Sequence, residues 1–200
     1  MSTRRLPFYF LIDTSASSGD ADMEACRNFI CTIIATLRSD PFALDTAHLS
    51  VIKFGGETKV AIPLDELCTF ELSPAAFTSD CALGGGLSQL VATIRSDLVP
   101  KTDILKGDWR PNVVLWLNAE PTDDFEKGLR EFESIKAGKR FAVVSRSVAK
   151  VTTNRLKDSG FIVVSTESAE DPSHRWHEEV YKRQWDSVEA DIDAPDNSAF

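Results

Sequence analysis

The sequence predicts a three-layer α/β sandwich, with a mostly parallel central sheet, one antiparallel edge strand and helices on both faces. Residues 6 to 12, Leu-Pro-Phe-Tyr-Phe-Leu-Ile, are an apolar run of strand length ending on Asp13, the pattern of a strand covered on both faces. Strand-like runs then alternate with helical periodicity, which implies parallel strands joined by crossover helices. The chain has 200 residues with 42% hydrophobic content, enough for one sizeable core but short for two. A single domain is expected over residues 1–190, followed by an acidic, proline-containing, disordered tail at 191–200.

The elements follow in order. From Asp20 to Arg38, Met23, Cys26, Ile30, Ile33, Ile34 and Leu37 recur at helical spacing, Asp20 and Asp22 suit the helix dipole, and Pro41 ends the helix. Residues 47–54 read as a strand, and Gly55-Gly56 turns the chain into a second strand at 58–62. The pair is a hairpin whose outer strand is blunted by Lys59 and Pro63. Residues 65–82 read as a surface loop. A helix begins at Leu83 and carries Leu87, Leu90, Val91, Ile94 and Leu98 on one face. Gly84-Gly85-Gly86 at its start costs about 1 kcal/mol per glycine against alanine, which close approach of a neighbouring backbone would justify.

Asn112 to Leu117 is a second buried strand, and Pro121-Thr122-Asp123-Asp124 opens a helix with Thr122 as its N-cap and Phe125, Leu129, Phe132 and Ile135 on one face. Residues 141–144 and 161–164 are strands, separated by a short helix at 148–158. Residues 172–190 form a last helix whose Trp176, Val180, Tyr181, Trp185 and Val188 make an apolar side, with core the expected place for the tryptophans.

Composition narrows the function. A formal charge of -9 without an extended basic cluster argues against binding nucleic acid or an anionic membrane and leaves a basic surface as the charged partner of choice. No stretch approaches the roughly 20 apolar residues of a membrane helix. Arg4-Arg5 and the apolar run imitate a signal peptide, but Pro7 and Asp13 spoil it. Cys26, Cys31, Cys68 and Cys81 lack C-x-x-C spacing and read as reduced thiols of a cytoplasmic protein.

The first strand delivers Asp13, Ser15 and Ser17 to its carboxyl end, where open α/β sheets bind ligands. A carboxylate and two hydroxyls are hard donors of the kind Mg2+ accepts. The serines alternatively cap the following helix with no metal. No nucleophile, base and orienting acid assemble from the motifs, and the glycine run lacks the Lys-Ser/Thr of a phosphate loop.

Taken together, Leu-Ile-Asp13-Thr-Ser15-Ala-Ser17, Leu37-Arg-Ser-Asp-Pro-Phe-Ala-Leu-Asp45, His48-Leu-Ser-Val-Ile-Lys-Phe-Gly55, Lys106-Gly-Asp-Trp-Arg-Pro111 and Pro121-Thr-Asp-Asp-Phe-Glu-Lys-Gly-Leu129 resemble the von Willebrand factor A (vWA) family, and within it the bacterial TerY (tellurite-resistance) type. The resemblance implies a vWA/Rossmann-like fold and a metal-ion-dependent adhesion site made by three loops, with Asp13, Ser15 and Ser17 in the first. In the same family pattern a threonine and an aspartate supply the remaining ligands; here Cys81 and Asn118 hold those positions, with Asp80 as a substitute ligand. Losing a carboxylate about 4 Å from a divalent ion forfeits roughly 8 kcal/mol of gross attraction at a dielectric of 20. Dehydration cancels most of it, and a remainder of about 2–3 kcal/mol still means about a hundredfold in affinity. A neutral thiol is a poor ligand for a hard ion. The expectation is therefore a degenerate site with weak or absent Mg2+ binding. By resemblance the protein is a non-enzymatic scaffold or regulator whose partners are a Ser/Thr kinase and a PP2C-type phosphatase of a tellurite-resistance or stress system.

The opening motif also resembles that of haloacid-dehalogenase phosphatases, in which Asp13 would be the nucleophile. Ser15 stands where that family places an acid, and Asp123-Asp124 falls in the wrong order for its metal motif.

Overall fold

The computed structural model describes residues 4–15, 19–72, 80–104 and 106–183. Six strands form one sheet in the order β3-β2-β1-β4-β5-β6: β1 Leu6–Asp13, β2 Ala47–Phe54, β3 Lys59–Glu66, β4 Asn112–Leu117, β5 Arg140–Val144 and β6 Ile162–Ser165. All neighbours pair in parallel except β2 with β3, the antiparallel hairpin expected from Gly55-Gly56.

β1 is buried along its whole length because it lies between β2 and β4 and is covered on both faces. Its period-two alternation sends Leu6, Phe8, Phe10 and Ile12 into one core layer and Tyr9 and Leu11 into the other. The first layer is closed by α1 (Asp20–Arg38), which contributes Cys26, Phe29, Ile30, Ile33, Ile34 and Leu37. The second is closed by α3 (Leu83–Asp97), α4 (Phe125–Glu133) and α5 (Lys150–Asp158).

Several boundaries differ from the sequence expectation. Pro41 ends α1 but opens a further short helix, α2 (Pro41–Thr46), capped by Asp40 Oδ1 accepting from Phe42 N and Ala43 N; proline is tolerated there because a first-turn N–H has no helical partner. β3 runs four residues past the expected 62, carrying Pro63 within an edge strand, where a missing N–H is tolerated. Thr122 is not the N-cap of α4: Asp124 is, accepting from Lys127 N, while Thr122 N and its hydroxyl donate to Cys81 O.

The last helix packs in cis. Described as α6 (Pro172–Trp176) and a π-helical turn (His177–Lys182), it buries Trp176 and Val180 in the α1 layer, with the Trp176 and Phe8 rings 6.5 Å apart. Tyr181 Oη donates to Asp40 Oδ2 at 2.8 Å, joining this segment to the α2 cap. Trp185, Val188 and the expected tail at 191–200 lie outside the described residues.

The amino end of the sheet is closed by the Lys106-Gly-Asp-Trp-Arg segment. Arg5 makes a two-pronged ion pair with the buried Asp108, whose Oδ2 also accepts from Val99 N, and Arg4 stacks over the Trp109 ring. This motif is structural and sits at the opposite end of β1 from Asp13.

Candidate rim site around Asp13

After β1, the chain returns through α1 on one face to β2, and later through α3 on the other face to β4. The strand order therefore reverses between β1 and β4, and their carboxyl ends flank the crevice where ligands bind in such sheets. Asp13 is the last residue of β1 and is fully buried.

Its carboxylate ties three turns together. Oδ1 accepts from Ser15 N at 2.8 Å, a local turn of the kind aspartate favours. Oδ2 accepts from Asn118 N at 2.9 Å and Ala119 N at 3.0 Å, both from the turn after β4. Cys81, in the turn before α3, brings its thiol to 3.5 Å from the same oxygen and 3.4 Å from Ala119 O. A thiol has one hydrogen, so it serves one of these acceptors at a time. Burial, and after it the negative charge of Asp13, pushes the Cys81 thiol well above its ordinary range and keeps it protonated.

Neighbouring groups fix the turns from outside. Asp123 accepts from Gly84 N at 3.0 Å and Gly85 N at 2.7 Å, satisfying first-turn donors of α3 where a negative charge is favourable. Glu120 accepts from Ala149 N at 2.7 Å and from the Thr152 hydroxyl, holding the start of α5. Ser147 Oγ donates to Asn118 O.

The structure thus brings together Asp13, Ser15, Cys81 and Asn118. Asp80 is exposed on the same turn as Cys81, and Ser17 lies outside the described residues. The Asn118 amide oxygen accepts from the Trp116 indole at 2.8 Å. Period-two spacing puts Trp116 and Asn118 on one side of β4 and was the available signal for this pair. Asp123, Glu120 and Ser147 were missed, because nothing local marks which exposed polar residues will meet a distant turn.

The family model for the von Willebrand factor type A domain matches residues 8–73. Among solved structures, a von Willebrand factor type A protein from Catenulispora acidiphila is similar at a TM-score of 0.64 and 13% identity, over 88% of this chain and 42% of that one. The fold is that of a vWA domain. Proximal thread matrix protein 1 from the mussel byssus shares it at TM-score 0.63 and 14% identity, over 86% of this chain and 46% of that chain. The SpRpn10 VWA domain shares it at 0.62 and 11%, over 88% and 96%. The chain spans less than half the length of the first of these similar proteins. No curated protein matches the sequence.

The vWA fold raises the question of a cation at this rim. Asp13 Oδ2 already accepts from two N–H groups and faces a thiol, the thiol is soft and protonated, and the amide oxygen of Asn118 accepts from Trp116. Among the described residues no three His, Cys, Asp or Glu side chains converge as metal ligands. The Cys81 thiol does not suit Mg2+, which demands hard oxygens in near-octahedral array. Among the described residues, no helix is long and apolar enough to cross a membrane.

Proposed function

We propose that the chain is a non-enzymatic vWA protein-interaction module whose adhesion site is degenerate. The observation that carries this reading is the convergence of the β1, α3 and β4 turns on Asp13, with a thiol and an indole-bound amide at the two positions where the family resemblance calls for hard ligands. Asp13 is buried and engaged by neighbouring donors, which suits a structural carboxylate better than a phosphate-accepting nucleophile. The TerY-like motifs quoted above point to a scaffold or regulator working with a Ser/Thr kinase and a PP2C-type phosphatase in a bacterial stress or tellurite-resistance system, in the cytoplasm.

Two measurements test this. Affinity capture of the tagged chain from its native cell should retain a kinase or a PP2C-type phosphatase, and recovery of neither removes that partnership. In calorimetry, Cys81→Thr combined with Asn118→Asp should bind Mg2+ about a hundredfold more tightly than the parent, the factor set by about 2–3 kcal/mol of regained attraction. Equal binding would mean these positions are not the family's ligand positions.

A further inference from the structure

We infer that Asp13, gripped by three backbone N–H groups and the Cys81 thiol, takes over the joining role of a cation, so that the rim keeps its shape without any divalent ion. The inference deepens the degenerate-site reading and rests on the same assignment of Asp13, Cys81 and Asn118 to one rim. Each of the three turns contributes a donor: Ser15 N from the first, Cys81 Sγ from the second, Asn118 N and Ala119 N from the third. Hydrogen bonds to an ionised acceptor are roughly twice as strong as neutral ones, and burial strengthens them further.

The two departures from the family pattern cooperate in this arrangement. A thiol at position 81 is a weak ligand for a hard cation but a usable donor to Asp13 Oδ2, which lies 3.5 Å from it. An amide at position 118 adds no negative charge beside Asp13 and satisfies the Trp116 indole instead. An aspartate there would set a second carboxylate beside a buried one, and like charges at close range disfavour the ionised pair unless a cation separates them. Thiol and amide thus both suit a rim without an ion.

The test compares the full chain in ~10 mM MgCl2 and ~10 mM EDTA by thermal melting and by amide hydrogen exchange. The melting temperature should agree within about 1 °C between the two, since a ligand that does not bind the native state shifts nothing. Exchange of the Ser15, Asn118 and Ala119 amides should agree within about twofold, because their protection comes from Asp13. Cys81→Ala should melt several degrees lower by the same amount in both buffers. A rise of about 3 °C or more in MgCl2, or exchange slowed about tenfold by the ion, would overturn the inference. So would a Cys81→Ala variant that melts with the parent. A response to MgCl2 would overturn the degenerate-site reading as well, whereas a Cys81→Ala variant that melts with the parent, with no response to MgCl2, would overturn only the joining role of Asp13. The interaction-module reading is tested separately by partner capture.

Discussion

Gly84 of α3 and Gly128 of α4 meet backbone to backbone. A Cβ built on Gly128 would lie 2.3 Å from Gly84 O and 2.6 Å from Gly84 Cα, and one built on Gly84 would lie 2.4 Å from Asp124 O. Neither neighbour is a flexible side chain, so the helices must separate to admit a methyl group. Gly84→Ala or Gly128→Ala should destabilise the fold by about 1–3 kcal/mol despite alanine's better helix propensity, with a double variant costing less than the sum because the two share one contact. Chemical denaturation of the three variants checks this. Gly85→Ala is the internal control, since its added Cβ meets nothing closer than 3.5 Å and should be nearly neutral or stabilising.

Two of the four thiols are predicted to react readily. Cys31 and Cys68 are exposed, whereas Cys26 and Cys81 are buried, with thiols pushed up chiefly by loss of solvation. Alkylation of the native chain followed by peptide mass spectrometry should label Cys31 and Cys68 first, with Cys26 and Cys81 modified only on unfolding. Early labelling of Cys81 would place it outside the buried turn.

Stability should fall in alkali. Burial, together with the Asp40 hydrogen bond, raises the Tyr181 phenol to about 12, and burial beside Asp97 raises Tyr9 further. A phenol whose folded value is raised favours the native state fully below its unfolded value near 10, and that advantage drains away as pH rises through the folded value. Melting temperature should therefore decline above about pH 10. In Tyr181→Phe that decline should be shallower, from a lower starting point because the bond to Asp40 is gone. An unchanged slope would show that this phenol does not titrate differently in the two states.

Trp176 should be a stability residue. Its ring is buried against Phe8 and Tyr181, while its indole N–H has no hydrogen-bond partner among the described residues. Trp176→Ala should cost about 3–5 kcal/mol, and Trp176→Phe markedly less, because it keeps an aromatic body and removes an unsatisfied donor. Urea unfolding of the two variants separates these outcomes.

The architecture was legible because its signals are local. The apolar run ending on Asp13, the Gly-Gly turn and the spaced Ile and Leu residues of α1 each report a period that survives folding. Even the unusual glycines of α3 were readable as a place where another backbone comes close. The α2 helix was hidden because its proline reads equally as a stop and as a first-turn residue. The α4 cap went to Asp124 because Thr122 is drawn to Cys81 O, a contact 41 residues away in the chain. The rim positions themselves could be placed only by resemblance to ordered motifs. That the Asn118 amide would turn to Trp116, and that Asp123 would hold α3, depended on tertiary geometry that no local pattern encodes.

The position of β1 has a mechanical consequence. It is hydrogen-bonded to a parallel neighbour on either side, pinned at its amino end by Arg5 to Asp108 and at its carboxyl end by Asp13. A pull along this strand would load both ladders in shear, many bonds at once, whereas the outer strands β3 and β6 each have one ladder to lose. Under tension the sheet should therefore peel from its margins and surrender its middle last, which would keep the rim turns assembled while the periphery yields.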